Sequence, residues 1–219
     1  MSDLLHYKSK RQFQLERLIL FSDAVFAIAI TLLIIEIKVP EIEREHLSNH
    51  ALLSELAKLI PKFFGFIISF MFIGIYWSVH HRMFGYVTDY SRKLVTLNLL
   101  FLFAIVLMPF STAFYSEYVM KKVMVPVVFY TGNIVLLGLF NMLMWLYISN
   151  PKNKLSEGLS RSESRYNILR SAIVPGFFVI YAFIYLYYPS IAVYLPITLF
   201  PIMRTITARH NKKQAIQNN

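Results

Sequence analysis

Residues 18–37 read LILFSDAVFAIAITLLIIEI, twenty positions with one interior carboxylate, Asp23, and a second acid, Glu36, at the far edge. A run of about 20 apolar residues, rising about 1.5 Å each, spans the roughly 30 Å hydrocarbon core of a bilayer. Further runs share this character at 59–79, 94–114, 123–148 and 168–188. A shorter one at 190–206 is interrupted by Pro196 and Pro201. Charged or turn-rich stretches separate them, such as EIERE at 41–45 and NPKNK at 150–154. Each run is apolar on all sides, as helices solvated by lipid require. Pro126 falls in a first turn, where proline costs little. Pro109 and Pro175 lie deeper, where proline bends a helix.

Composition agrees. The 219 residues are 57% hydrophobic and 16% charged, with 19 Phe and 14 Tyr. Soluble domains average nearer 45–50% and about 25%. The mean hydropathy of +0.52 excludes a soluble monomer and a disordered chain. The absence of Cys excludes a disulfide scaffold, a zinc ribbon, an iron–sulfur site and a thiol nucleophile. Ala27-Ile28-Ala29 resembles a signal-peptidase site, but the apolar run continues beyond it, which predicts an uncleaved span. The expected fold is an all-α integral membrane protein, one domain over 1–219 with six transmembrane helices. The stretch 151–167 reads as a solvated linker.

Charge sets the expected topology. With six spans, Lys38, Arg44, Lys58, Lys62, Lys121 and Lys122 fall on one side, and the other 16 of the 22 Lys and Arg on the side of the N-terminus. With five spans the split falls to 12 against 10. The positive-inside rule therefore predicts six spans with both termini cytoplasmic. The formal charge of +10 reads as topology, and no nucleic-acid partner is expected.

Asp23 is the one ionisable group clearly inside a span. A carboxylate at bilayer depth costs at least about 2.5–3.5 kcal/mol and needs donors. It lies about 9 Å along the helix from Arg17. The second helix runs back and carries Trp77, His80 and His81 at its inner end. The third starts near Lys93, which puts Asn98 about 7.5 Å deep. Ser22, Asp23, Trp77, His80 or His81, and Asn98 thus share one layer, and an indole, an imidazole and an amide are suitable donors. Adjacent His80 and His81 point about 100° apart, which argues against a shared metal. At that angle per residue, Phe21, Ala24, Ile28, Thr31, Leu32 and Ile35 form an apolar stripe with one hydroxyl, while Ser22 and Asp23 point elsewhere. Beyond its outer end stand Glu36, Glu41, Glu43 and Glu45, which would concentrate cations.

Arg17 to Asp23 reads RxxxFSD. It resembles the signature first helix of the prokaryotic homologues of lysosomal transmembrane protein 175, a potassium-channel family. Trp77-Ser78-Val79-His80-His81 resembles the family's WxxHH pattern, and Asn98 with Pro109-Phe110-Ser111-Thr112 its N…PFxT pattern. The resemblance covers about the first half of the chain. It implies six-helix subunits, a homotetramer, and a pore lined by the first helix of each copy. It implies a constriction at Ile28, Leu32 and Ile35, with Thr31 as a pore-facing hydroxyl. It also implies a polar network of Arg17, Phe21, Ser22, Asp23, Trp77, His80 or His81, and Asn98. No cofactor is implied beyond permeant potassium, and the expected location is a prokaryotic plasma membrane. A ring of Ile and Leu offers no ligand to a bare ion, so it holds a pore dry or passes a partly hydrated ion. The competing expectation is a secondary transporter or proton-coupled exchanger using Asp23 and His80, but no inverted repeat or broken first helix supports it. No H-E-x-x-H, G-x-S-x-G or intramembrane acid pair suggests an enzyme.

Overall fold

The computed structural model describes residues 2–217, with side chains over 11–210 and at Lys212. The helices are α1 (Ser2–Ile35), α2 (Asn49–Lys58), α3 (Ile60–Phe84), α4 (Arg92–Val106), α5 (Met108–Tyr118), α6 (Met124–Ile148), α7 (Arg161–Tyr187), α8 (Pro189–Ala192) and α9 (Leu199–Gln217). Among the described residues, five helical stretches are long and apolar enough to cross a membrane: Arg11–Ile35, Ile60–Phe84, Arg92–Lys121, Met124–Ile148 and Arg161–Tyr187.

The third stretch is two helices in near continuity. Pro109 has no N–H, so the Ile105 carbonyl loses its partner and the helix breaks at Leu107. The Leu107 N–H still reaches Phe103 O at 3.1 Å, and the Ser111 N–H reaches Leu107 O at 2.9 Å. Pro175 does not break α7. A close fit accompanies it: a Cβ at Gly138 of α6 would run into the Pro175 ring and stand 3.1 Å from the Ser171 carbonyl. Only glycine lets these two helices approach so closely.

Ion pairs mark the two ends of the antiparallel bundle. At the end where α1 starts, Arg11 pairs with Asp89 of the α3–α4 connection at 2.6 Å. At the opposite end, Lys62 of α3 pairs with Glu117 of α5 at 2.8 Å. The connections at the first end are paired with each other: the Thr88 N–H donates to Leu155 O at 2.9 Å, and the Glu157 N–H to Tyr86 O at 3.0 Å. Between the ends lies a core of large rings, among them Phe72, Phe101, Trp145, Phe178 and Tyr181. Phe72 meets Phe178 edge-on with centroids 5.3 Å apart.

Helix α1 sits at the margin of the protomer. Only 22% of its most apolar stretch is buried, against 50% for α4–α5 and for α6. The buried positions, Leu15, Ser22, Phe26, Ala29 and Leu33, recur at three-, four- and seven-residue intervals and form one narrow seam.

Two expectations need correction. The stretch 151–167 is a largely exposed connection only as far as Ser160. Helix α7 already begins at Arg161, capped by the Ser160 side chain, which accepts from the Glu163 N–H at 3.1 Å. Leu155 and Asn167 are buried. The segment 190–206 is not one helix either: it comprises most of α8, which opens on Pro189, a 3-10 turn over Leu195–Thr198 that holds Pro196, and the start of α9, whose first turn holds Pro201. Its side chains still meet neighbours at successive levels. Tyr194 faces Phe64 (6.3 Å), Phe200 stacks on Phe72 (5.5 Å), and His210 stacks on Tyr166 (3.5 Å).

Candidate functional site

The seam of α1 places Ser22 and Asp23 against α3 and α4. Asn98 of α4 is the hub. The Ser22 hydroxyl donates to Leu18 O at 2.8 Å, so its oxygen accepts from Asn98 Nδ2, also at 2.8 Å. That fixes the amide orientation and turns Asn98 Oδ1 toward His80, whose Nε2–H donates to it at 2.8 Å. Ser22, Asn98 and His80 are all buried. Rings enclose the imidazole: Phe84 at 4.4 Å, Phe26 at 5.6 Å and Phe101 at 5.8 Å between centroids.

Asp23 belongs to a second, more open contact. Its Oδ1 accepts from Trp77 Nε1–H at 2.9 Å. Both residues border a groove of about 350 Å³ between α1 and α3, otherwise lined by Phe26, Ala27, Ile30, Ile73 and Gly74. His81 stacks on the Trp77 indole with centroids 5.7 Å apart and is exposed. Neither histidine is a hydrogen-bond partner of Asp23; the partner is Trp77, while His80 serves Asn98. The Asp23–His80 relay required by an exchanger is therefore not assembled.

Six of the eight expected network residues thus lie together or in contact: Ser22, Asp23, Trp77, His80, His81 and Asn98. Within one chain the other two stand apart. Arg17 is exposed and lies over the Phe13 ring at 5.8 Å, and Phe21 is half exposed.

The opposite face of α1 is bare in the protomer. Ile28 is 59% exposed, Leu32 39% and Ile35 67%. Thr31 lies on the same face, and its hydroxyl points back to Ile28 O (2.8 Å) and Ala27 O (3.0 Å). Its proton is thereby used within the helix, and the oxygen lone pairs are left facing outward. Beyond the helix end, Glu36, Glu41, Glu43 and Glu45 are exposed. Helix α4 shows a comparable apolar face at Leu99, Phe103 and Val106, so exposure alone does not distinguish a pore from lipid.

Sequence reasoning missed a second polar layer. Thr112 of α5 donates to Met108 O at 2.6 Å, so its oxygen accepts from the Ser69 hydroxyl of α3 at 2.7 Å; Ser69 meets the Tyr130 hydroxyl of α6 at 2.9 Å, and Tyr115 meets Tyr181 at 2.6 Å. Single hydroxyls inside apolar runs are too frequent to mark such a layer in advance.

The family described as "Endosomal/lysosomal potassium channel TMEM175" matches residues 17–109, a window that holds every residue of the network. A protein named as a potassium channel in Chamaesiphon minutus is 30% identical over 174 residues, 79% of this chain and 85% of that protein. The chain belongs to the TMEM175 family. Another relative named as a potassium channel, from Streptomyces collinus, is 45% identical over 98 residues, about half of each chain (45% and 46%). The TMEM175 of Homo sapiens, named as an endosomal/lysosomal proton channel, is 37% identical over 90 residues, 39% of this chain and 18% of that protein. A crystal structure of a lysosomal potassium-selective channel TMEM175 homolog from Chamaesiphon minutus superposes with a TM-score of 0.73 at 26% identity, covering 91% of this chain and all of that one (100%). These TMEM175 relatives are named as channels, not enzymes.

Proposed function

We infer that this chain is the subunit of a potassium-permeable channel, a homotetramer whose pore is lined by the bare face of α1. One observation carries this reading. The side of α1 bearing Ser22 and Asp23 is fastened to α3 and α4, while the side bearing Ile28, Leu32 and Ile35 is left exposed by the described residues of its own chain. A helix held this way in each of four copies would bring four Ile28 and four Ile35 side chains around an axis. The naming of bacterial relatives as potassium channels supports the choice of ion.

In this reading Ile28, Leu32 and Ile35 form the constriction. They exclude a bare ion by offering it no oxygen and pass an ion that keeps part of its water shell. The outward lone pairs of Thr31 hold that shell between the apolar rings. The acidic outer loop raises the local cation concentration. Six spans place both termini in the cytoplasm of a prokaryotic cell, with 190–206 as the sixth, returning along α3 and α7 despite its prolines. The bilayer, the other copies and the permeant ion are the only partners required.

The test is potassium flux from liposomes that contain only the purified protein, followed through reversal potentials. The parent chain conducts and prefers potassium to sodium. Ile28→Asn wets the ring and reduces that preference. A conducting Ile28→Asn protein with unchanged reversal potentials removes Ile28 from the constriction, and no flux from correctly assembled parent protein overturns the channel reading.

A further inference from the structure

A separate polar cluster sits where α3, α6, α7 and α9 meet. Tyr76, Asn141, Asn167, Arg170, Ser171 and Met203 line a cavity there. The hydrogen bonds around it can be followed atom by atom. Ser171 Oγ–H donates to Asn167 O at 2.8 Å, so its oxygen must accept from Asn141 Nδ2, also at 2.8 Å. The amide nitrogen of Asn141 therefore faces Ser171, and its Oδ1 faces away. Asn167 is fully engaged: its Nδ2 donates to Glu163 O at 2.9 Å, and its Oδ1 accepts from Arg82 at 3.0 Å.

Three buried atoms of the lining residues have no protein partner among the described residues. They are the Tyr76 hydroxyl, Asn141 Oδ1 and Arg170 Nε. Leaving such a group buried without a partner is destabilising. Their chemistry restricts the occupant. Arg170 Nε–H only donates and carries positive charge, so a metal cation is repelled. Asn141 Oδ1 only accepts, so a halide would face a carbonyl oxygen. The occupant must accept from one and donate to the other. The space open to a water-sized molecule is about 20 Å³. One water needs roughly 10–15 Å³ of such space and two to four polar partners.

We propose that this cavity is a binding site for a single water molecule, which accepts from Arg170 Nε–H, donates to Asn141 Oδ1 and completes its bonds with the Tyr76 hydroxyl. The water ties α3 to the α6–α7 pair through atoms that make no direct bond. Tyr76 directly precedes Trp77, the donor to Asp23, so the site helps to fix the rotation at which α3 holds the first helix.

The test is a density map of the intact assembly at a resolution that shows ordered solvent. A single peak is expected within roughly 2.7–3.2 Å of all three atoms. It carries no anomalous signal when bromide replaces chloride, and it is lost in Asn141→Leu. A missing peak in the parent protein, an anomalous bromide peak, or a peak that persists in Asn141→Leu overturns the assignment. Should Asn141→Leu not fold, Tyr76→Phe carries the test: the peak moves away from position 76 or disappears, and an unchanged peak overturns the bridge.

Discussion

Asn98 joins three helices with one side chain, so its removal should be felt more than its size suggests. In Asn98→Leu, the His80 Nε2–H and the Ser22 oxygen both lose their partner in a place that water does not reach. An orphaned buried group costs about 1–3 kcal/mol. The variant is expected to melt well below the parent in detergent; equal melting temperatures would show that the bonds contribute nothing. Asp23 allows a graded comparison. Trp77→Phe leaves a carboxylate without its donor, a loss of about 1.5–3 kcal/mol for a bond to a charged group. Asp23→Asn keeps an acceptor oxygen for the indole and should cost less, with little change in the pH dependence of flux. A pH profile altered by Asp23→Asn at normal stability would instead show the carboxylate acting as a proton carrier. Much of this residue layer was legible beforehand, because a carboxylate within an apolar run demands donors and the helix rise places them. The division of labour was not. Depth along a helix puts Trp77, His80 and Asn98 at one level, but rotation decides that the indole serves Asp23 and the imidazole serves Asn98. Arg17 entered the expected network through the resemblance alone, and within one chain it lies over Phe13.

At the scale of helices, the α6–α7 contact is the most sensitive to volume. Gly138→Ala would push a methyl group into the Pro175 ring, and the helices would have to separate. Overpacking of this kind costs typically 1–3 kcal/mol. Gly132→Ala, six residues earlier on α6, meets nothing within 4 Å and serves as the control. Yield and melting temperature should fall for the first and hold for the second; equal behaviour would mean that α7 can shift to accommodate the methyl. Five apolar runs announced the five helical stretches long and apolar enough to cross a membrane, because lipid requires that character and little else produces it. Helix ends were less visible. The Ser160-Arg161-Ser162-Glu163 pattern is a capping signal that places the start of α7 seven residues before its apolar run. The prolines at 196 and 201 told of a broken segment, but not that the chain returns along α3 and on to Tyr166 of α7. That path is set by ring packing at Phe64, Phe72 and Tyr166, which pairs residues more than 40 positions apart.

At the scale of the whole assembly, a single chain shows two comparable apolar faces, and the channel reading assigns them opposite surroundings. In that reading the face of α1 at Ile28 borders the path that ions and their water cross, whereas the face of α4 at Phe103 borders lipid. The chain has no cysteine, so introduced thiols report on a silent background. A thiol reacts as its thiolate, which does not form in hydrocarbon. Ile28→Cys and Phe103→Cys replace residues of matched exposure, 59% and 58%. In liposomes, a charged methanethiosulfonate reagent should modify Ile28→Cys and cut its potassium flux at least several-fold, while Phe103→Cys remains unmodified and conducts as before. Potassium present during the reaction should slow modification at position 28, because ion and reagent compete for one path. If both positions resist the reagent while flux persists, ions cross elsewhere. If Phe103→Cys reacts and Ile28→Cys does not, the axis runs beside α4, and α1 is the helix that faces the bilayer.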